Sequence, residues 1–147
     1  MRLVMVACDR QFAGSSTFTI YWRVLLALQR FMGYLTTHVL DSAFGCPGSN
    51  ILVNLYRIGA ERELIASVTT NSDGRCDQPV LEGEAFTKGV YELEFGAGAY
   101  YRKRGMELPE PAFLDEVVLR FGIANEDEHY HVPLLISPYS YSTYRGS

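Results

Sequence analysis

The stretch His131–Ser147, HVPLLISPYSYSTYRGS, constrains this chain more than any other. From His131 to Ile136 apolar and β-branched residues run with no helix cap, which is the pattern of a buried strand. Ser137-Pro138 then breaks the strand and starts a turn, because proline has no N–H to give a sheet ladder. A second strand follows in strict alternation, with Tyr139, Tyr141 and Thr143 on one face and Ser140, Ser142 and Tyr144 on the other. The polar cluster Tyr144-Arg145-Gly146-Ser147 comes directly after it. Chain ends ordinarily fray, and a cluster this dense after a strand reads as placed for use.

The remainder supplies strands for this pair to join. Leu35–Asp41 is β-branched at three of its seven positions. With a period of two, Thr36, His38 and Leu40 share one face, and Leu35, Thr37, Val39 and Asp41 the other. Further strands are expected over 51–56, 64–70, 89–95 and 117–123, separated by turn signals at Gly59, Asn71-Ser72-Asp73-Gly74 and Asn125-Glu126-Asp127-Glu128. Ala97–Arg104 is the one short helix expected after residue 32, ended by Gly105. Seven or eight short strands with turns between them indicate an all-β sandwich of two sheets.

At 147 residues the chain fits one domain with a core of its own. The net charge of −4 is unclustered, which argues against nucleic acid or an anionic membrane surface as a partner. Cys8, Cys46 and Cys76 are odd in number and lack CxxC spacing, so a reduced, cytoplasmic protein is expected. Residues 1–31 read as an N-terminal extension, disordered or arising from an upstream start, with Met32 opening the domain that runs over 32–147. Thr17–Leu28 is apolar but interrupted by Arg23 and too short to span a bilayer. A periplasmic location would follow only if that extension were a signal.

Three residues have chemistry to contribute: His38 in mid-strand, Arg75 directly after a tight turn, and His131 at the opening of the C-terminal pair. By residue type alone, a strand histidine is more often structural and an arginine after a turn more often a solvated charge. The motifs around them carry more weight. Thr36-Thr37-His38-Val39-Leu40-Asp41, Asp73-Gly74-Arg75, Tyr130-His131-Val132-Pro133-Leu134-Leu135 and Tyr144-Arg145-Gly146-Ser147 together resemble the motifs of the transthyretin-like family, in that family's order and spacing. The set is similar to that of the enzyme branch, the 5-hydroxyisourate hydrolases, which the hormone carriers lack. The resemblance covers about Tyr34 to Ser147.

The resemblance implies a transthyretin-like β-sandwich of about eight strands. It also implies a homotetramer, a dimer of dimers whose central channel holds the sites, and hydrolysis of a ring amide in 5-hydroxyisourate without metal or cofactor. His38, Arg75, His131 and Ser147 would be catalytic, and His38, Arg75 and Tyr144 would bind substrate. A histidine titrates near neutral pH and suits proton transfer. Arginine keeps its proton and presents a planar fork to carbonyl oxygens. Three alternatives stand beside this reading. One is a carrier that binds a small aromatic ligand without turnover, and a second is a plain β-sandwich interaction module with incidental histidines. The third is a zinc site built from His38, His129 and His131, since His129 and His131 share a strand face.

Overall fold

The computed structural model describes residues 33–146; the extension expected over residues 1–31 and the site residue Ser147 lie outside the described residues. Nine strands are found among the described residues: β1 (Tyr34–Asp41), β2 (Cys46–Pro47), β3 (Leu52–Ile58), β4 (Arg62–Thr69), β5 (Leu81–Glu82), β6 (Gly89–Phe95), β7 (Val117–Ile123), β8 (His129–Ser137) and β9 (Ser140–Thr143). One α-helix is found among the described residues, α1 (Ala97–Lys103). The first sheet has the order β2-β1-β8-β9, with β5 paired to the start of β1, and the second has the order β4-β3-β6-β7.

The alternation read from the sequence decides what each strand buries. Leu35 and Val39 of β1 meet Val132, Leu134 and Ile136 of β8 on the inner face of the first sheet. Val53, Leu55, Tyr91, Leu93, Phe95, Val117 and Leu119 close the core from the second. A strand cannot slip by one residue here, because a slip would turn the whole apolar set to solvent. Truncating a fully buried member such as Leu134 to alanine costs about 2–5 kcal/mol.

The pairing that matters most for the site is that of β1 with β8. The two run parallel, and the register sets Thr36 against His131, His38 against Pro133 and Leu40 against Leu135. Buried polar groups fix this pair as well as apolar ones: the Thr37 hydroxyl donates to the Val132 carbonyl at 2.7 Å. At the far end of β1 the buried Asp41 carboxylate accepts from the hydroxyls of Tyr100 (2.8 Å) and Tyr101 (3.1 Å) and from the backbone N–H groups of Ala43 and Phe44. Four donors on one carboxylate tie α1 to the end of β1 and leave no buried charge unsatisfied.

The expected sandwich forms, with local differences. β2 and β5 are two-residue strands, too short for periodicity to register. β9 ends at Thr143, so Tyr144 and Arg145 leave the alternation that would have carried Tyr144 onto the face of Ser140 and Ser142. No helix among the described residues is long and apolar enough to cross a membrane.

Candidate active site

The site is built on the outer face of the first sheet, where the β1–β8 register lines up the side chains that do not enter the core. Thr36 and His131 are neighbours across the pair, and His129 lies two residues before His131 on the same face. The third contributor arrives from a loop. Asn71 organises it: its side-chain oxygen accepts from the N–H groups of Asp73 (3.0 Å) and Arg75 (3.1 Å), and its own N–H donates to the Arg75 carbonyl (2.7 Å). Gly74 makes the turn possible, with φ of 71° and a Cβ position only 2.3 Å from the Val39 carbonyl oxygen. No other residue fits so close to β1 in that backbone region. Val39 N–H donates to the Gly74 carbonyl at 2.8 Å, and Arg75 forms an isolated bridge with His38.

A concave pocket of ≈ 320 Å³ results, lined by Thr36, Arg75, Cys76, Gln78, His129 and His131 together with Tyr34 and Thr37. His38 is beside this lining, paired with Arg75 across the bridge. Arg75 is exposed, and its guanidinium makes no ion pair among the described residues, which leaves all its donors for a ligand.

Both histidines are held below the ordinary imidazole value. For His38 burial has the largest effect and the Arg75 cation adds to it, with Asp73 opposing. For His131 burial again leads, followed by Arg75, His129 and His38, each of which disfavours a second positive charge. Two neutral imidazoles beside a fixed cation can take up a proton from water near neutral pH, while the cation attracts a developing negative oxygen.

The ring of His131 is fixed on two sides. Its Nδ1 lies 2.9 Å from the Thr36 hydroxyl, which is also 2.8 Å from His129 Nε2. Behind it, Gly146 N–H donates to the His131 carbonyl at 2.9 Å and the glycine packs directly against the imidazole. The zinc alternative is not supported by this arrangement. The hydroxyl of Thr36 stands between the facing nitrogens of His129 and His131, and no three metal-ligating side chains group together among the described residues.

Of the residues singled out in the sequence, His38, Arg75 and His131 come together, and Tyr144 is placed elsewhere within one chain. It lines a larger concavity of ≈ 560 Å³ with Val118, Phe121, Tyr141 and Thr143, between the edge strands of the two sheets. That concavity is lined by no histidine, carboxylate or thiol, so its size does not make it the site of chemistry. Arg145 ion-pairs with Glu128 and covers the ring of Tyr130. The sequence does not single out Thr36, Cys76, Gln78 or Gly146 as site residues, and it brings in His129 only through the zinc alternative. The shared face of Thr36 with His38, and that of His129 with His131, are the signals the sequence offers for them.

Fold and site together define a two-sheet β-sandwich protein with a histidine–arginine pocket suited to a small, oxygen-rich ligand. The chain belongs to the HIUase/Transthyretin family, whose profile matches residues 35–146. It is 74% identical over 117 residues to the 5-hydroxyisourate hydrolase of Pseudomonas aeruginosa, a match covering 79% of this chain and 93% of that protein. Among solved structures, the 5-hydroxyisourate hydrolase of Klebsiella pneumoniae is similar at a TM-score of 0.67 and 34% identity, over 79% of this chain and all of that one. A structure of (S)-allantoin synthase is similar at 0.76 and 44% identity over 87% of this chain, which spans 50% of that longer protein.

Proposed function

We infer that this chain is a 5-hydroxyisourate hydrolase, opening a ring amide of 5-hydroxyisourate to give 2-oxo-4-hydroxy-4-carboxy-5-ureidoimidazoline in the breakdown of urate. The observation that carries this reading is the convergence of His38, Arg75 and His131 on one sheet face, in a chain with a relative of that name at 74% identity. A carrier needs shape and apolar surface, and it has no use for two imidazoles held neutral beside a cation. The enzyme reading therefore accounts for the site, and the carrier reading does not.

In this mechanism His38 and His131 share the activation of water and the movement of its proton, worth about 10²–10⁴ in rate. Arg75 orients the planar substrate through its carbonyl oxygens and balances the negative charge of the tetrahedral intermediate. Ser147 contributes a hydroxyl, and Tyr144 covers the substrate once subunits assemble. The assembly we propose is a tetramer built as a dimer of dimers. Support comes from the open edges of β7 and β9, which close neither sheet among the described residues and flank one concavity. Cys46 and Cys76 carry free thiols, in keeping with the cytoplasmic location we assign.

Freshly generated 5-hydroxyisourate, followed by ultraviolet absorbance, tests the activity directly. Decay accelerated in proportion to protein concentration is the expected result. A rate equal to the spontaneous one would leave a binding protein. Light scattering gives the mass of the assembly, and a monomeric or dimeric species would overturn the tetramer.

A further inference from the structure

Resting on the reading of His131 as a proton-transfer group, we propose that Thr36 and His129 form a proton relay behind it. In this relay the Thr36 hydroxyl carries a proton between His131 Nδ1 and His129 Nε2.

The two contacts at Thr36 Oγ, 2.9 Å to His131 Nδ1 and 2.8 Å to His129 Nε2, are both full hydrogen bonds. A hydroxyl has one proton to donate. Among the described residues Thr36 Oγ has no other hydrogen-bond partner, so its proton goes to one ring while it accepts from the other, and the tautomers of the two histidines are coupled. If His131 carries its proton on Nδ1, His129 presents a bare Nε2, and the reverse holds equally. His131 Nε2 makes no hydrogen bond among the described residues and is the nitrogen left for a ligand.

The surroundings hold this geometry in place. The β1–β8 register sets Tyr34 opposite His129 and Thr36 opposite His131, so all four side chains lie on one face of two hydrogen-bonded strands. The Tyr34 ring stacks on His129 with centroids 4.2 Å apart and planes 22° apart, fixing the plane of the outer imidazole. The β-branch of Thr36 restricts its χ1. Such a bridge has no evident packing purpose, since both histidines are half-buried and water could satisfy them.

The relay answers a difficulty posed by the site. A proton left on His131 would face Arg75, His38 and His129 at once. The cycle starts with His131 protonated on Nδ1 and Thr36 donating to the bare Nε2 of His129. As water attacks the substrate carbonyl carbon, its proton passes to His131 Nε2. The Nδ1 proton moves to Thr36 Oγ, and the threonine's own proton moves to His129 Nε2. His131 ends neutral and His129 ends as the imidazolium. When the ring C–N bond breaks, the leaving nitrogen takes the proton from His131 Nε2, and the relay runs backward. One proton enters and one leaves, with no other reactant. The charged groups around the relay are Arg75 and Asp73 on the turn, His38 on β1, and Glu128 with its partner Arg145 beside the start of β8.

The test uses the full chain carrying Thr36→Val, Thr36→Ser, His129→Phe or His131→Ala. Nitrogen-15 NMR of the histidine rings is expected to show His131 protonated on Nδ1 in the parent and redistributed toward Nε2 in Thr36→Val. In the same variant and in His129→Phe, kcat is expected to fall by about 10²-fold with KM little changed. Thr36→Ser, which keeps the hydroxyl, is expected to restore most of kcat and the parent pH profile. Thermal melting identifies any variant that misfolds, and the serine and phenylalanine variants then carry the comparison. An unchanged His131 tautomer in Thr36→Val, or parent-like kcat in Thr36→Val and His129→Phe while His131→Ala is inactive, overturns the relay. Full activity in His131→Ala removes the underlying reading instead, whatever the tautomer measurement gives.

Discussion

Gly146 lies flat against the imidazole of His131: a Cβ added at Gly146 would stand 2.5 Å from His131 Cδ2 and 3.1 Å from Cγ. The Gly146 N–H is bonded to the His131 carbonyl at the same time, so the glycine cannot withdraw without losing that bond. In Gly146→Ala either the ring turns or the segment gives up its bond to the His131 carbonyl, and both change how the imidazole is held. Displacing a reacting group by about 1 Å can lower a rate by ~10²-fold. We expect that loss in kcat with a melting temperature close to the parent's, since Gly146 lies outside the core. Kinetics beside a thermal melt check this, and a fully active alanine variant would show that the ring position is unimportant.

Arg75→Lys is expected to behave much like Arg75→Ala, both losing about 10²-fold or more in kcat/KM. The guanidinium is exposed and makes no ion pair among the described residues, so its removal breaks none there and stability is retained. Lysine keeps the charge but loses the planar fork that meets two oxygens at once. Steady-state rates on 5-hydroxyisourate decide the matter, and a lysine variant with parent activity would reduce the role of Arg75 to charge alone.

The pH dependence follows from the lowered values at His38 and His131. Both are held below their ordinary 6.5, so both remain neutral bases at and somewhat below that pH. The acid limb of kcat/KM is therefore expected below pH 6.5, not above it. Stability moves in the same direction. As pH falls below 6.5 the unfolded chain takes up protons first, so these groups weaken the fold until pH passes their folded values, where the contribution levels off. Glu92, held low chiefly by Arg62 and Arg120, adds a separate loss below its ordinary 4.5. Chemical denaturation across this range checks both steps.

Gly74→Ala should damage fold and site together. The left-handed backbone and the contact with the Val39 carbonyl oppose any side chain there, and strain of about 1–3 kcal/mol is expected. Relief would come by moving the turn away from β1, which carries Arg75 from His38 and lowers the rate as well. Urea melts and kinetics on the same sample test whether the two losses travel together.

Much of this was legible because a period of two is a strong rule. The inward placing of Val39, Val132 and Leu134, and the outward placing of His38 and His131, needed only alternation. The turn before Arg75 was announced by Asn71-Ser72-Asp73-Gly74, but nothing local says that it docks on β1. Alternation put Asp41 on the face of Leu35 and Val39, but the partners that satisfy its buried carboxylate, Tyr100 and Tyr101, depend on where α1 lands. Tyr144 was misjudged geometrically because alternation holds only while the ladder does, and β9 stops one residue earlier. Thr36 was invisible as a bridge, since a hydroxyl between two imidazoles is a fact about two strands and their register.

The parallel pairing of β1 with β8 has a consequence for how the molecule comes into being. Thr36 and His131 are 95 positions apart and adjacent in space. A nascent chain that has emerged from the ribosome only through β7 holds His38 and Arg75 but has no second imidazole to complete them. It also exposes one edge of β1, the strand that should lie at the centre of its sheet, and such unpaired long-range edges are slow to close and prone to meet other chains. Activity in such a molecule cannot build up piece by piece during synthesis. It begins when β8 is inserted, and the same event removes the most adhesive surface the unfinished chain presents.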